Sequence, residues 1–354
     1  MKRLLILFLL TSTPGIIYAQ VTPRQIAQVD SLVSFYVQDQ NIPGMSISVF
    51  YKDGLVFSKG FGYSDIEAGT PVDPSNTKFR VGSVSKTYTA AALGELMEDG
   101  VIHPDSSVYA YVPDFPEKRH DFSVRQLAGH TAGIRHYRGS EFISKRFYAT
   151  VDEGLEIFEN DTLLFEPGTD YRYSSYGWNL ISAVIEGASG EAFLEFITRE
   201  VFDELGMKST VPEWSNQTIP HLTTFYEYRN NQNVEADFVD NSYKWAGGGF
   251  VGTTEDMIRF GRAYLSTDFQ PSSVQKDLTT PLILTNGRET GYGMGWSTWE
   301  RDGSTWVGHT GGSMGGSTMF IMNKEHDMII AFAINRSGVS FKDLHFRLAY
   351  LLMN

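Results

Sequence analysis

The chain has 354 residues, 42% of them hydrophobic and 14% aromatic, enough for one large core with an inserted region or for two domains, and too apolar for a disordered polymer. A net charge of −13 without any run of lysine and arginine argues against a nucleic-acid partner, because phosphate binding rests on clustered cations. The complete absence of cysteine removes disulfides, thiol chemistry and a lipid-attachment site, so stability has to come from the core.

At the N-terminus Lys2 and Arg3 precede the apolar run Leu4–Leu10, and Ala19 offers a small residue for cleavage. This is the form of a signal peptide over residues 1–19, which implies an exported protein, periplasmic or secreted. The apolar run is too short to span a bilayer and Pro14-Gly15 interrupts it; no later stretch is long and apolar enough. "GMSISVFYKDGLVFSKGFGYSD" then alternates about Lys52-Asp53-Gly54, a hairpin signal. Next comes "FRVGSVSKTYTAAALGELMEDG": a strand-like lead-in, Gly82, Ser83, Lys86, and a helix with Tyr88, Ala91, Ala92, Glu95 and Leu96 on one face before Gly100 stops it.

The middle of the chain reads as helical. "WNLISAVIEGASG" and "EAFLEFITREVFDELGM" are two helices, and "TTEDMIRFGRAYL" is a further one, capped by Thr253 or Thr254 with Glu255 and Asp256 in its first turn. Two more hairpins follow, turning at Arg301-Asp302-Gly303 and at Asn323–Asp327. The expected fold class is therefore α+β: an antiparallel sheet built from both chain ends and flanked by helices. The expected domains are a sheet domain over residues 20–99 and 245–354 and a mostly helical insert over residues 100–244. A substrate pocket belongs in the cleft between them.

Three short motifs carry candidate chemistry. S-x-x-K occurs at Ser75/Lys78, Ser83/Lys86 and Ser273/Lys276. Only Ser83 has a strand leading in, a glycine for close approach and a long helix behind it. Residues three apart on a helix share a face, the helix N-terminus favours a developing alkoxide, and a lysine of lowered pKa can take the serine proton. In "FEPGTDYRYSSYGWNLISAV" a turn at Pro167-Gly168 delivers Tyr173, a possible base or relay, ahead of a helix. Its phenol would need a neighbouring cation, such as the Lys86 ammonium, to ionise near neutral pH. In "WVGHTGGS" the residues His309, Thr310 and Gly311 sit on a strand, with Gly312 able to offer a free N–H. His130-Thr131 in "LAGHTAGIRHY" repeats the dipeptide without a strand and reads as a decoy. Taken alone, each motif also has a plain structural reading: a capped helix, a packed aromatic, an ordinary strand.

The order of these motifs resembles the penicillin-recognising serine hydrolases, and the tyrosine points to their class C β-lactamase-like branch. That branch includes D-alanyl-D-alanine carboxypeptidases, D-aminopeptidases, esterases and mitochondrial serine β-lactamase-like proteins. "LAGHTAGI", "ELGMKST" and "AGGGFVGTTEDMIRFG" extend the resemblance over roughly Asn41 to Arg336. It implies Ser83 as the acylated nucleophile, Lys86 as its proton partner and Tyr173 as a base in acylation or deacylation. It also implies an oxyanion hole from the backbone N–H groups of Ser83 and Gly312, and substrate contacts from Ser175, His309, Thr310 and Gly311. Two residues depart from the pattern. Ser175 stands where the family often has asparagine and offers fewer hydrogen bonds, and His309 replaces a cationic lysine and would hold a substrate carboxylate less firmly.

The expected activity is hydrolysis of an amide or ester through an acyl-enzyme at Ser83, on a peptide or small-molecule substrate. The competing reading is a catalytically idle protein that binds cell-wall peptides or β-lactams on the same scaffold. No cofactor or metal is implied, since the eight histidines are scattered and no phosphate or dinucleotide loop is evident. Tyr243, Trp245, Tyr292, Trp296 and Trp306 are available to line an apolar cleft, though core packing accounts for each equally well. Oligomeric state is not encoded legibly.

Overall fold

In a computed structural model, residues 21–354 are described; the expected leader over residues 1–19 lies outside the described residues. Helix α1 (Pro23–Asp39) starts from Thr22, whose side chain accepts from the Gln25 N–H while the Gln25 side chain reaches back, a reciprocal cap reinforced by Pro23. Strands β1 (Gly44–Tyr51) and β2 (Gly54–Asp65) form the first hairpin, followed by the short strands β3 (Thr70–Pro71) and β4 (Phe79–Arg80). A single 3-10 turn, Gly82–Val84, leads into α2 (Ser85–Glu98). The central region holds α3 (Val124–Ala128), α4 (Val151–Leu155), α5 (Ser175–Ser189), α6 (Phe193–Ile197), β5 (Val211–Pro212) and the hairpin β6 (Tyr226–Arg229) and β7 (Gln232–Glu235). After α7 (Trp245–Gly248), β8 (Phe250–Gly252), α8 (Thr254–Leu265) and α9 (Ser272–Thr279), the chain returns as β9 (Ser297–Arg301), β10 (Ser304–Ser313), β11 (Gly316–Asn323) and β12 (Met328–Ile334), then ends in α10 (Leu344–Met353).

The main sheet runs β3-β2-β1-β12-β11-β10-β9 and is antiparallel throughout. The fold class is α+β, with the two chain ends meeting where β1 pairs with β12. Strand periodicity of two assigns alternate residues to opposite layers. On β12, Met328, Ile330, Phe332 and Ile334 face the cluster under α1 and α10, while Ile329, Ala331 and Ala333 face the larger core around α2. Ser46 and Ser48 of β1 turn their hydroxyls to Thr254 of α8 at 2.7 and 2.8 Å, a polar seam inside an otherwise apolar layer.

Several elements differ from the sequence reading. Helix α2 is buried on nearly every side, including Lys86, Thr87 and Thr89, because it runs between the sheet and the central helices rather than over the surface. The helix expected over "EAFLEFITREVFDELGM" is short: α6 ends at Ile197 and Thr198–Asp203 continues as one wider helical turn. Helix α5 begins at Ser175, capped by Ser174, three residues ahead of the apolar run that signalled it. Thr253 is the cap of α8. Among the described residues no helix is long and apolar enough to cross a membrane.

The segment before α2 is pinned by an ion pair. Arg80 donates from Nε and Nη2 to the Glu213 carboxylate at 2.7–3.0 Å, and from Nη1 to the Met314 carbonyl at 2.6 Å. Both charged side chains are almost fully buried. Removing one partner strands the other charge, so Glu213→Ala should cost about 3–5 kcal/mol in urea unfolding. A loss below about 1 kcal/mol would show that Arg80 is solvated by other means.

Candidate active site

Gly82 brings Ser83 to the edge of the sheet. Its φ is +53°, and a Cβ there would stand 2.8 Å from the Gly312 nitrogen, so only glycine lets this turn lie against β10. Ser83 therefore occupies a 3-10 turn and stays half-buried, while Lys86 lies one turn deeper in α2 and is fully buried. Lys86 Nζ is 3.1 Å from Ser83 Oγ, 3.2 Å from Ser175 Oγ and 2.5 Å from the Gly247 carbonyl of α7. It has no carboxylate partner, and burial together with the Lys244 charge pushes its pKa well below the ordinary lysine value.

Tyr173 stands beside this pair. Lys86 Nζ lies 5.0 Å from the centre of its ring, and hydrogen bonding to Ser83 and Ser175 acts on its hydroxyl. Burial dominates and raises the phenol pKa. The sequence reading looked to a Lys86 ammonium to ionise Tyr173. The structure favours the opposite pair, a neutral amine and a neutral phenol, since burial disfavours either charge.

His309 is on β10 and buried. Its Nδ1 is 2.6 Å from the Thr310 carbonyl, which can only accept, so the proton sits on Nδ1 and Nε2 accepts from the Tyr292 hydroxyl at 2.9 Å. Burial and the neighbouring Lys86 push its pKa down to about 3. Thr310 and Gly312 alternate outward into the cleft. Gly311 departs from expectation: it faces inward, and a Cβ there would stand 2.0 Å from the Val81 carbonyl. Its place is to let the Ser83 turn dock on β10, not to line the cleft.

The cleft has a volume of about 380 Å³, and its walls hold Ser83, Tyr173, Ser175, His309, Thr310 and Gly312 together. The other S-x-x-K pairs diverge. Ser75 bonds Glu255 while Lys78 bonds the Pro220 carbonyl, and Ser273 and Lys276 are exposed on α9. Of the five aromatics offered for the cleft only Tyr292 lines it; Tyr243, Trp245 and Trp296 pack in the larger core and Trp306 under α10.

Sequence reasoning missed several wall residues. His130, set aside as a decoy, stacks 4.4 Å from the Tyr173 ring and accepts the Ser174 N–H on Nδ1 at 3.2 Å. His136 accepts the Ser175 N–H on Nδ1 at 3.1 Å and lines the cleft with Tyr137, Phe142, Tyr171 and Lys244. The signal available was "LAGHTAGIRHY", whose two histidines lie six residues apart across a loop, and their use as backbone acceptors needs the folded start of α5. His136 is held at about 4, chiefly by burial.

An antiparallel sheet flanked by helices, with Ser83, Lys86 and Tyr173 gathered at one edge, defines a serine hydrolase of the β-lactamase and transpeptidase class. A family model described as Beta-lactamase matches residues 29–352, and the chain belongs to that family. It is 28% identical to the human "Serine beta-lactamase-like protein LACTB, mitochondrial", across 88% of this chain and 74% of that one. It is 29% identical to the D-aminopeptidase of Gluconobacter oxydans, across 72% of this chain and 48% of that one. Among solved structures, the octameric penicillin-binding protein homologue from Pyrococcus abyssi shares the fold with a TM-score of 0.79 at 24% identity, over 93% of this chain and 78% of that one.

Because His309 and His136 are held neutral, neither should gain a proton between pH 5 and 8. Nitrogen NMR of labelled histidine should show both titrating only in the more acidic range, and a midpoint near 6.5 for either would contradict the buried geometry. Their depressed values mean that the unfolded chain takes up protons first. Stability is full above about pH 6.5 and falls as pH drops toward the folded values near 4 and 3.

Proposed function

We propose that the protein hydrolyses an amide or ester bond through an acyl-enzyme formed on Ser83. The observation that carries this reading is the Lys86 amine, buried without a carboxylate and within 3.1 Å of Ser83 Oγ. A neutral amine there accepts the serine proton as Oγ attacks the substrate carbonyl carbon. The backbone N–H groups of Ser83 and Gly312 receive the oxyanion. Collapse breaks the C–N or C–O bond, and the proton held by Lys86 passes through the Tyr173 hydroxyl to the departing amine or alcohol. Water then attacks the acyl ester, losing its proton along the same route, and Ser83 is restored.

Ser175 takes a positioning part: its hydroxyl lies 3.2 Å from Lys86 Nζ, so a side chain shorter than asparagine still holds the base. His309 and Thr310 border the substrate. The cleft lies between a sheet domain over residues 20–99 and 245–354 and a helical insert over residues 100–244. The substrate class is that of peptidases and esterases of this family, and the chemistry calls for no metal or cofactor. Residues 1–19 act as an export signal, leaving a periplasmic or secreted protein.

A fluorophosphonate probe should label the protein once, at Ser83, and Ser83→Ala should abolish both the adduct and turnover. Lys86→Met should slow labelling by about 10²–10⁴-fold. In the wild type the rate should fall on acidification as Lys86 takes up a proton and ceases to be a base. Intact-mass spectra showing no adduct with several acylating probes would defeat the reading. Saturable peptide binding that survives Ser83→Ala, with no product from the wild type, would point to an idle binding protein instead.

A further inference from the structure

The cleft walls are nearly without charge. No aspartate or glutamate lines it, and Lys86, His136 and His309 are all pushed toward their neutral forms by burial. Lys244 is the exception. It ends the 3-10 turn Ser242–Lys244, three residues before the Gly247 carbonyl that holds Lys86. The residue is only 3% exposed, yet among the described residues its ammonium has no hydrogen-bond acceptor and no salt-bridge partner.

What surrounds that ammonium is aromatic. It lies 4.4 Å from the centre of the Phe142 ring, 5.2 Å from Tyr243 and 5.6 Å from Tyr137, and Phe142 and Tyr137 are themselves cleft walls. Ring faces attract a cation but satisfy none of its three N–H donors in the way an oxygen would. Glu213 attracts it only from beyond salt-bridge distance, being spent on Arg80 and on the Asn241 amide at 2.7 Å. Burial and the Arg80 charge leave Lys244 at about 7, so an arriving anion would both find a cation and strengthen its protonation.

A buried lysine without a counter-ion costs stability unless something else supplies the charge. We propose that the counter-ion is the substrate: Lys244 is the anion-binding residue of the cleft, and the acyl substrate carries a carboxylate that lies against Lys244 and the Tyr137–Phe142 wall. This rests on the Ser83 hydrolase reading and narrows it. It favours substrates with a free carboxylate over neutral esters. It also assigns charge recognition to the turn before α7, not to β10, where His309 is neutral. Lys244 takes no part in the bond-making steps.

The test uses two matched substrate pairs on the full-length protein. p-Nitrophenyl glutarate against p-nitrophenyl pentanoate places the carboxylate on the acyl side. Hippuryl thiolactate against its methyl ester places it on the leaving side. In the wild type, one pair should show at least a ten-fold preference in kcat/KM for the anionic member. Lys244→Met should remove that preference, and Lys244→Arg should keep most of it. The ratio within a pair cancels any change that loss of the Lys244 charge makes to Lys86. Removing an unpaired buried charge should also leave Tm unchanged or higher. Absence of preference in both pairs overturns the proposal, as does a preference that survives Lys244→Met. A Lys244→Met protein that is strongly destabilised overturns it too, by assigning the lysine a structural part. Fluorophosphonate labelling of wild-type Ser83 in the same samples separates the two readings: no adduct defeats the hydrolase itself, whereas an adduct without anion preference defeats only the Lys244 assignment.

Discussion

A lysine amine is held in the middle of the protein with hydroxyl and carbonyl oxygens around it and no acid. Had a carboxylate stood beside Lys86, the ammonium would be stabilised and the base lost. Instead Gly247, Ser175 and Ser83 supply neutral oxygens, which hold the nitrogen in place whether or not it carries a proton. Placing a lysine there requires a helix buried on nearly all sides. That in turn requires a sheet on one flank and the central helices on the other, so the placement of α2 and the chemistry of the site are one constraint.

The neutral histidines serve the same end by a different route. His130 and His136 accept the backbone N–H groups of Ser174 and Ser175. These are donors at the start of α5, which a helix leaves unsatisfied. The rings thus fix the end of the segment that carries Tyr173 and Ser175. A protonated imidazole could not accept on Nδ1, so positioning and neutrality reinforce each other. On the sheet side, the tight approach of Gly82 and Gly311 to their neighbours sets the distance between the serine turn and β10.

Charge is distributed unevenly for a reason that follows from this. A cationic residue on β10, in the place of His309, would share the cleft with Lys86 and compete with it for solvation. With His309 tied to Thr310 and Tyr292, positive charge is found at Lys244, cushioned by aromatic faces. Charge separation of this kind lets one cleft hold both a neutral base and a cation.

Much of the fold was legible in the chain itself. Period-two alternation about Lys52-Asp53, Asp302-Gly303 and Lys324–Asp327 predicted three hairpins that the sheet contains. Glycine at positions 100 and 190 ended helices where the pattern did, because a positive φ is needed there and only glycine takes it without strain. Ser83, Lys86, Tyr173, Ser175, His309 and Gly312 could be named from short-range spacing and local context, since a serine and lysine three apart must share a helical face. What spacing could not reach was everything set by burial and by residues distant in the chain. His130 looked like a stray because its partner is a backbone donor more than forty residues on. Gly311 looked like a wall and is a docking surface. Trp296 and Trp306 looked alike and lie in different cores. Lys244 carried no motif at all. The protonation states of Lys86, Tyr173 and His309 were likewise beyond the sequence, because they depend on how much water and which charges surround each group, and only the packed chain determines that.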